Sequence, residues 1–186
     1  MSAKLAFKPV TKARWDDFAA LFEAPGGPSY CWCMAWRATP TEIKEAGRAS
    51  RKPLMHARVQ DGTTVGLLGY LEGEPVAWVS IAPRETYRDL GGPDAQEGEK
   101  IWSLACMYVK RKHRGEGHGA ELIEAARAYA KKRGGTVLEA YPVDPASPSY
   151  RFMGFVPAFE RLGFEPVGKA GSRRHVMRLE LRSGSK

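Results

Sequence analysis

The densest run of chemically capable residues is KRKHRGEGHGAELIEAA, positions 110–126. Lys110, Arg111, Lys112, His113 and Arg114 lead into three alternating glycines, Gly115, Gly117 and Gly119. Glycine lets a backbone approach a ligand closely and take positive φ where needed. A helix starting there offers its unpaired N–H groups and the positive end of its dipole to the same point. That combination is an anion site, and a phosphate ester is its natural guest. The dipole supplies only about 0.3 to 1 kcal/mol per charge. Tight binding therefore also needs several N–H bonds and Arg114, whose fork suits phosphate oxygens. A tight strand-to-helix turn would also use the glycines, but it would not require the basic run.

Two other phosphate motifs can be weighed against these residues. Gly115-x-Gly117-x-x-Ala120, with Glu139 lying 20 residues after Gly119, fits the spacing of a dinucleotide-binding fingerprint. That fingerprint places its first glycine at the end of a buried strand, whereas residues 110–114 intervene here, and no second mononucleotide half follows. A Walker loop needs Gly-Lys-Ser/Thr, which is absent at the required spacing.

The flanking elements must position this loop. IWSLACMYV, residues 101–109, is a long, nearly uncharged strand, buried on both faces by its composition. Residues 121–133 form a helix with Leu122, Ile123, Ala126 and Ala130 on one side, ended by Gly134 and Gly135. Residues 136–141 are a second buried strand. Upstream, residues 11–24 predict an amphipathic helix with Thr11 as its N-cap and Trp15, Phe18, Leu21 and Phe22 as its apolar stripe. Residues 39–58 predict helix in pieces, interrupted by Pro53. Residues 65–71 and 76–81 make a hairpin around Glu72, Gly73, Glu74 and Pro75. Residues 83–98 are a loop. Residues 155–162 form a short helix, and 164–168 with 174–181 a final strand pair, the second alternating Val176, Arg178 and Glu180 with Met177, Leu179 and Leu181. The order is mixed α/β, with helices interrupting a central sheet.

Composition bounds the function. The chain has 186 residues, a length that suits one domain, residues 1–186, with no repeat or linker. Its 43% hydrophobic and 27% charged content excludes a disordered tail. No apolar run approaches the roughly 18 residues of a membrane helix, and the N-terminus lacks the apolar core of a signal peptide. Three cysteines argue against a disulfide framework, so a reducing cytoplasm is the expected location. The net charge is +8. Residues 1–100 carry 13 basic and 13 acidic side chains and residues 101–186 carry 16 and 8, so the whole excess lies in the second half, which suggests an anionic partner.

Strand 101–109, then Arg114-x-x-Gly117-x-Gly119, then helix resembles the acyl-coenzyme A loop of the GNAT superfamily of N-acetyltransferases. AFERLGFEPVG, residues 158–168, resembles that family's later helix-to-strand segment. The resemblance covers about residues 101–168 and is vaguer before them. It implies a mixed α/β (α+β) fold: a central, mostly antiparallel sheet flanked by helices, with splayed central strands. It also implies acetyl-coenzyme A (acetyl-CoA) as the acyl-donor cosubstrate and an amine, small-molecule or peptide, as acceptor. Neither a membrane nor nucleic acid is then needed as partner, no metal site is expected, and a homodimer stays open. Met107, Tyr108 and Val109 would offer backbone groups to the pantetheine arm. Arg114, Gly115, Glu116, Gly117, His118, Gly119 and Ala120 would wrap the pyrophosphate. His113 and His118 then read as phosphate-neighbouring or solvent residues rather than general bases.

An alkyl ammonium has a pKa of about 10.4, so near pH 7 only about one molecule in 10³ is nucleophilic. The site must desolvate the amine or supply a base, stabilise an oxyanion through an N–H of Met107, Tyr108 or Val109, and protonate the departing thiolate. Members of the family often carry a tyrosine four residues before the glycine of Gly163-Phe164; here that position is Phe159. The acid could instead be Tyr150 or a water, and Tyr150 reads equally as a surface aromatic. Glu139, a lone carboxylate in a buried strand, is the candidate base; an ion pair with an arginine or a solvent-facing edge position is the structural alternative. Asp144 has no better claim. Tyr30-Cys31-Trp32-Cys33-Met34-Ala35-Trp36-Arg37 is similar to a stretch in a subgroup of GNAT-like proteins. It can pack aromatics over the core or line an acceptor pocket. Zinc binding with Cys106 and a histidine matches no standard spacing. Acidic residues Glu85, Asp89, Asp94, Glu97 and Glu99 could attract a cationic amine.

Two rival classes stay in view: a non-catalytic acyl-CoA sensor, to which Phe159 lends weight, and a nucleic-acid-binding module using the basic half. The basic residues cluster at a glycine loop instead of forming a stripe interleaved with aromatics. A nucleic-acid module would lose oligonucleotide binding steeply between about 50 and 200 mM salt. The glycine-loop site predicts no salt-sensitive oligonucleotide complex in a fluorescence-anisotropy titration over that range.

Overall fold

The structure, a computed structural model, describes residues 3–46 and 51–181. Its strands are β1 (Ala6–Pro9), β2 (Gly66–Leu71), β3 (Glu74–Pro83), β4 (Ile101–Val109), β5 (Val137–Ala140), β6 (Glu165–Ala170) and β7 (Arg174–Glu180). They form one seven-stranded sheet in the order β1-β2-β3-β4-β5-β7-β6, in which only β4 and β5 run parallel. The helices are α1 (Trp15–Glu23), α2 (Pro40–Ala46), α3 (Arg51–Gln60), α4 (His118–Lys132) and α5 (Val156–Arg161). This is the mixed, mostly antiparallel architecture expected above. Among the described residues no helix is long and apolar enough to cross a membrane.

Local chemistry explains most boundaries. The hairpin turn needs only Glu72 and Gly73, at φ 50° and 84°. Two positive-φ residues match the twist of the flanking strands, which leaves Glu74 and Pro75 to β3 rather than to the turn. Pro53 does not interrupt a helix: it lies in the first turn of α3, where N–H groups have no intrahelical acceptor anyway. At α2 the Glu42 N–H donates to Thr39 Oγ1 (3.1 Å) and the Thr39 N–H donates to Glu42 Oε2 (2.7 Å), a reciprocal cap. Thr11 makes no such cap; it precedes a 3₁₀ turn, Lys12–Arg14, and α1 starts only at Trp15. β7 keeps the expected alternation, with Met177, Leu179 and Leu181 all packing in one core, but Val176 on the other face is fully buried as well. It lies between β5 and β6, inside the sheet, and both of its faces are covered there.

The sheet separates two principal cores. On one face Leu122, Ile123, Ala126 and Ala130 of α4 and Phe159 of α5 pack on Ala77, Val79, Ile81, Leu104, Leu138 and Ala140. On the other, Phe18, Leu21 and Phe22 of α1 and Met55 and Val59 of α3 enclose Trp32 and Trp78. Trp78 is fully buried, its ring centroid 4.7 Å from that of Phe18 and 5.6 Å from that of Phe22. A smaller cluster gathers Tyr87, Leu90, Ala105, Tyr141 and Met153.

β4 is where the sheet opens. It pairs with β5 only from Ile101↔Val137 to Leu104↔Ala140, but stays with β3 through Val109↔Ala77. Beyond Ala140 the chain follows β7 instead, with the His175 N–H donating to Pro142 O at 2.8 Å. A bulge at the same place matches Ser80 to Cys106 but Ile81 to Leu104, which leaves Ala105 without a partner in β3. Among the described residues no strand lies beside the β5-facing edge of residues 105–109.

Candidate functional site

The glycine loop follows directly from that open half of β4. After Val109 a 3₁₀ turn, Arg111–His113, leads to Gly115 at φ 84° and Gly117 at φ 87°. Gly117 occupies the N-cap position of α4, and its C=O accepts from the Ala120 N–H (3.1 Å) and the Glu121 N–H (3.4 Å). This tight reversal starts the helix at His118, three residues earlier than its apolar stripe suggests. A Cβ placed on Gly115, Gly117 or Gly119 would meet nothing within 4 Å, so the space above all three is open. The loop presents bare backbone and a helix N-terminus to that space, a shape and polarity that fit a pyrophosphate.

The charges around it are partly committed. Lys110 pairs with Glu74 at 2.7 Å and Lys112 lies 3.7 Å from the same carboxylate. Lys110 first, then Lys112, hold the Glu74 carboxyl below its ordinary range. Arg114 folds back, its Nε donating to Val109 O at 2.9 Å and its guanidinium 5.8 Å from the Tyr108 ring centroid. It joins the end of β4 to the loop, and the residue is exposed. His118 is neither a solvent residue nor a phosphate-facing side chain. It is buried, with Nδ1 2.8 Å from Glu121 Oε1 and Nε2 3.1 Å from Glu116 Oε2. Glu121 also accepts the Leu5 N–H at 2.9 Å. The imidazole thus braces the loop against the first turn of α4 and the entry to β1.

Met107, Tyr108 and Val109 lie on the open stretch of β4, half-buried, and lead into this loop. The 3₁₀ turn Arg151–Met153 packs against the same strand, and Tyr150, 38% exposed, opens that turn at φ 59°. Trp36 and Phe152 lie 6.0 and 6.5 Å from the Tyr150 ring, and the Arg174 guanidinium sits 5.4 Å above it. Phe159 is fully buried and edge-on to Phe164 at 5.1 Å. A Cβ on Gly154 would come within 2.6 Å of the Phe159 ring and 2.9 Å of Met107. The position at which the resemblance expects a phenol is therefore beside β4 but carries no hydroxyl.

Glu139 is elsewhere. It pairs in register with Ser103, before the strands part, and its carboxylate is completely buried. Tyr141 donates to its Oε1 (2.6 Å), Arg178 Nε to its Oε2 (2.7 Å), and Arg84 Nη1 lies 3.4 Å from Oε1. Gly92 covers it so closely that a Cβ there would come within 2.1 Å of Oε1. Burial first, and then the neighbouring carboxylate, push the Tyr141 phenol well above its ordinary pKa. This is the geometry of the ion-pair alternative: β5, β7 and the loop after β3 are tied through one carboxylate.

Other residues lack an obvious role in the sequence. Arg37 is 3% exposed and reaches Val65 O (2.7 Å), Ser80 Oγ (2.9 Å) and Tyr87 OH (2.9 Å). Ser80 is the β3 partner of Cys106 at the β4 bulge, so this network fixes the strand beside the open edge. Burial drives the Tyr87 phenol up to about 12 despite the nearby guanidinium. An arginine inside the aromatic run 30–37 was the only sequence signal for it. Glu85, Asp89, Asp94 and Glu99 line an open cavity of about 760 Å³, but Arg84, Arg88, Lys100 and Arg133 line it too. Ile101 and Trp102 also border it, placing it at the start of β4. The strand's eight residue steps, at about 3.3 Å each, separate that cavity from the glycine loop.

A family model described as the acetyltransferase (GNAT) family matches residues 13–155. No curated protein matches the chain. Solved structures with a similar fold include an N-acetyltransferase from Staphylococcus aureus Mu50, 14% identical with a TM-score of 0.57 over 96% of this chain and 99% of that one. An uncharacterised protein from Bacillus halodurans is 16% identical, with a TM-score of 0.61 over 95% of this chain and 83% of that one. The PaiA N-acetyltransferase from Thermoplasma acidophilum, solved in complex with coenzyme A, is 16% identical, with a TM-score of 0.54 over 97% and 99% of the two chains.

Replacing Glu139 distinguishes an anchor from a base. Removing one partner of a buried ion pair costs about 3 to 5 kcal/mol, and each kcal/mol lowers the melting midpoint of a protein this size by about 2 to 4 °C. Glu139→Gln is expected to melt at least about 6 °C lower in a thermal scan. An unchanged midpoint would overturn the anchoring role.

Proposed function

The chain belongs to the GNAT family of acetyltransferases, and on that premise we propose that it transfers an acetyl group from acetyl-CoA to a primary amine. The observation carrying this is the continuity of an unpartnered strand edge, residues 105–109, with a glycine loop that is open above all three glycines. A pantetheine arm has two amides and could lie along that edge as an added strand would. The pyrophosphate would then rest on the backbone of residues 115–120 under the Arg114 fork, and acetyl-CoA would supply an activated thioester carbonyl. We take residues 1–186 as one such domain acting in the cytoplasm.

In this proposal the chain's own residues do three things. A backbone N–H of Met107, Tyr108 or Val109 donates to the oxyanion, where a donor is worth far more in a dry site than in water. Tyr150, exposed at the turn that packs on β4, holds the proton for the departing thiolate, because Phe159 has none to give. Glu139 is assigned to anchoring rather than to the amine, since all its near donors are protein groups. The acceptor amine would be deprotonated by water or by desolvation on binding. A non-catalytic acyl-CoA sensor is the second reading, supported by the same Phe159.

Acetyl-CoA at 100 times its dissociation constant should stabilise the protein by about 2.7 kcal/mol. Gly119→Glu tests the loop cleanly, because Gly119 has no positive φ and open space around its Cβ position. The variant should keep its fold by circular dichroism and lose the acetyl-CoA melting shift; a retained shift would make the loop purely structural. Free-thiol release from acetyl-CoA with a panel of amines separates enzyme from sensor. Release is expected with at least one amine, and Tyr150→Phe should lower kcat about 10²-fold or more with little change in KM. Binding without release for every amine would favour the sensor.

A further inference from the structure

The Cys31-x-Cys33 segment folds back onto the sheet and brings three thiols into line. Cys33 and Cys106 are buried, at 3% and 5% exposure, and their sulfurs are 2.8 Å apart although 73 residues separate them in sequence. Cys31 is partly exposed, and its sulfur accepts the Cys33 N–H at 3.0 Å. Trp32 and Cys33 both have positive φ, 48° and 52°, which turns the Cys33 side chain inward while Cys31 stays near the surface. Trp78 Nε1 donates to Cys33 Sγ at 3.2 Å and holds that sulfur against β4. Among the described residues no cluster of three or more His, Cys, Asp or Glu side chains is arranged to hold a metal ion.

We propose that Cys31, Cys33 and Cys106 form an oxidation site for hydroperoxides, in which the surface thiol takes the oxidising equivalents and passes them inward to end as a Cys33–Cys106 disulfide. In the first step the Cys31 thiolate attacks the peroxide O–O bond, giving a Cys31 sulfenic acid and hydroxide, or alkoxide from an organic hydroperoxide, which water protonates. Cys33 then attacks the Cys31 sulfur; its proton leaves with the hydroxyl as water and a Cys31–Cys33 disulfide forms. Cys106 attacks Cys33, loses its proton to solvent, and releases the Cys31 thiolate. The balance is two thiols and one hydroperoxide giving one disulfide, one water and one water or alcohol.

The local environment supports each direction of flow. The hydrogen bond from the Cys33 thiol, then the Cys33 N–H and the charge of Arg51, pull Cys31 down to about 6 against the effect of burial. Burial first, and then its hydrogen bonds to Cys106 and Cys31, push Cys33 well above its ordinary value. Thiolate, not thiol, reacts with oxidants, so Cys31 is the entry point. A thiol of low pKa is also the better leaving group in exchange, which drives the disulfide from Cys31–Cys33 to Cys33–Cys106. A disulfide needs a sulfur separation of about 2 Å, a short closure from the observed contact. The product would tie the loop after α1 to the strand residue preceding Met107. It does not depend on the acetyltransfer proposal.

The test is hydrogen peroxide added to the reduced full chain. Thiols counted after denaturation should fall from three to one. Tryptic peptides should show residues 15–37 joined to the peptide containing Cys106, with fragmentation placing the bond at Cys33. Cys31→Ser should slow formation of that bond at least tenfold. Cys106→Ser should stop at a Cys31–Cys33 disulfide. A count that stays at three, a Cys31 sulfinic acid without any disulfide, or an undiminished rate in Cys31→Ser would each overturn the site. On the unaltered protein, iodoacetamide should modify Cys31 first, with a rate rising through about pH 6. A midpoint near the ordinary thiol value, about 8.5, would overturn it equally.

Discussion

The N–H and C=O groups of a strand need partners, and the arrangement turns on the stretch of β4 where strand pairing supplies them along one edge only. β3 satisfies one edge of β4 along its length, while β5 leaves the other edge at Leu104. The bulge at Ala105 changes which face each later residue meets, so Cys106 and Tyr108 join the tryptophan core and Met107 and Val109 join the core under α4. The β5-side edge of that stretch takes its partners from side chains, as Val109 O does from Arg114 Nε, or from water. Past Val109 one 3₁₀ turn, Arg111–His113, carries the chain from that edge to Gly115.

Holding that gap open takes structure on both sides. β5 and β7 are tied by Glu139 and Arg178, and Arg84 brings the loop after β3 to the same carboxylate. On the β3 side, Arg37 bonds Ser80 and Tyr87 beside the bulge. Neither network reaches the open space over the glycines. Both are buried charges whose hydrogen bonds are supplied by distant parts of the chain.

Charge is distributed less simply than its position along the chain suggests. The excess of basic residues does gather at the strand-to-helix turn, yet Glu74 occupies Lys110 and approaches Lys112, and the Glu116 and Glu121 carboxylates clasp His118. Arg114 is turned back onto Val109 and Tyr108, and the space over the three glycines is bordered by bare backbone.

The sequence by itself determined the strand, the glycine loop and the helix from Ile101 to Lys132, with the buried stripe of Leu122, Ile123, Ala126 and Ala130. These features are local: strand composition, positive-φ glycines and helical periodicity act between near neighbours. The hairpin was legible for the same reason, although its turn proved shorter because two positive-φ residues suffice. Only the tertiary structure decided what the lone polar side chains do. Glu139 meets Arg84, 55 residues away, and Arg178, 39 residues away. Cys33 meets Cys106 across 73 residues, and Glu121, besides clasping His118, accepts a bond from Leu5 across 116. A side chain's partners across such separations follow from the register of strands and the site of a bulge, and no local pattern encodes either.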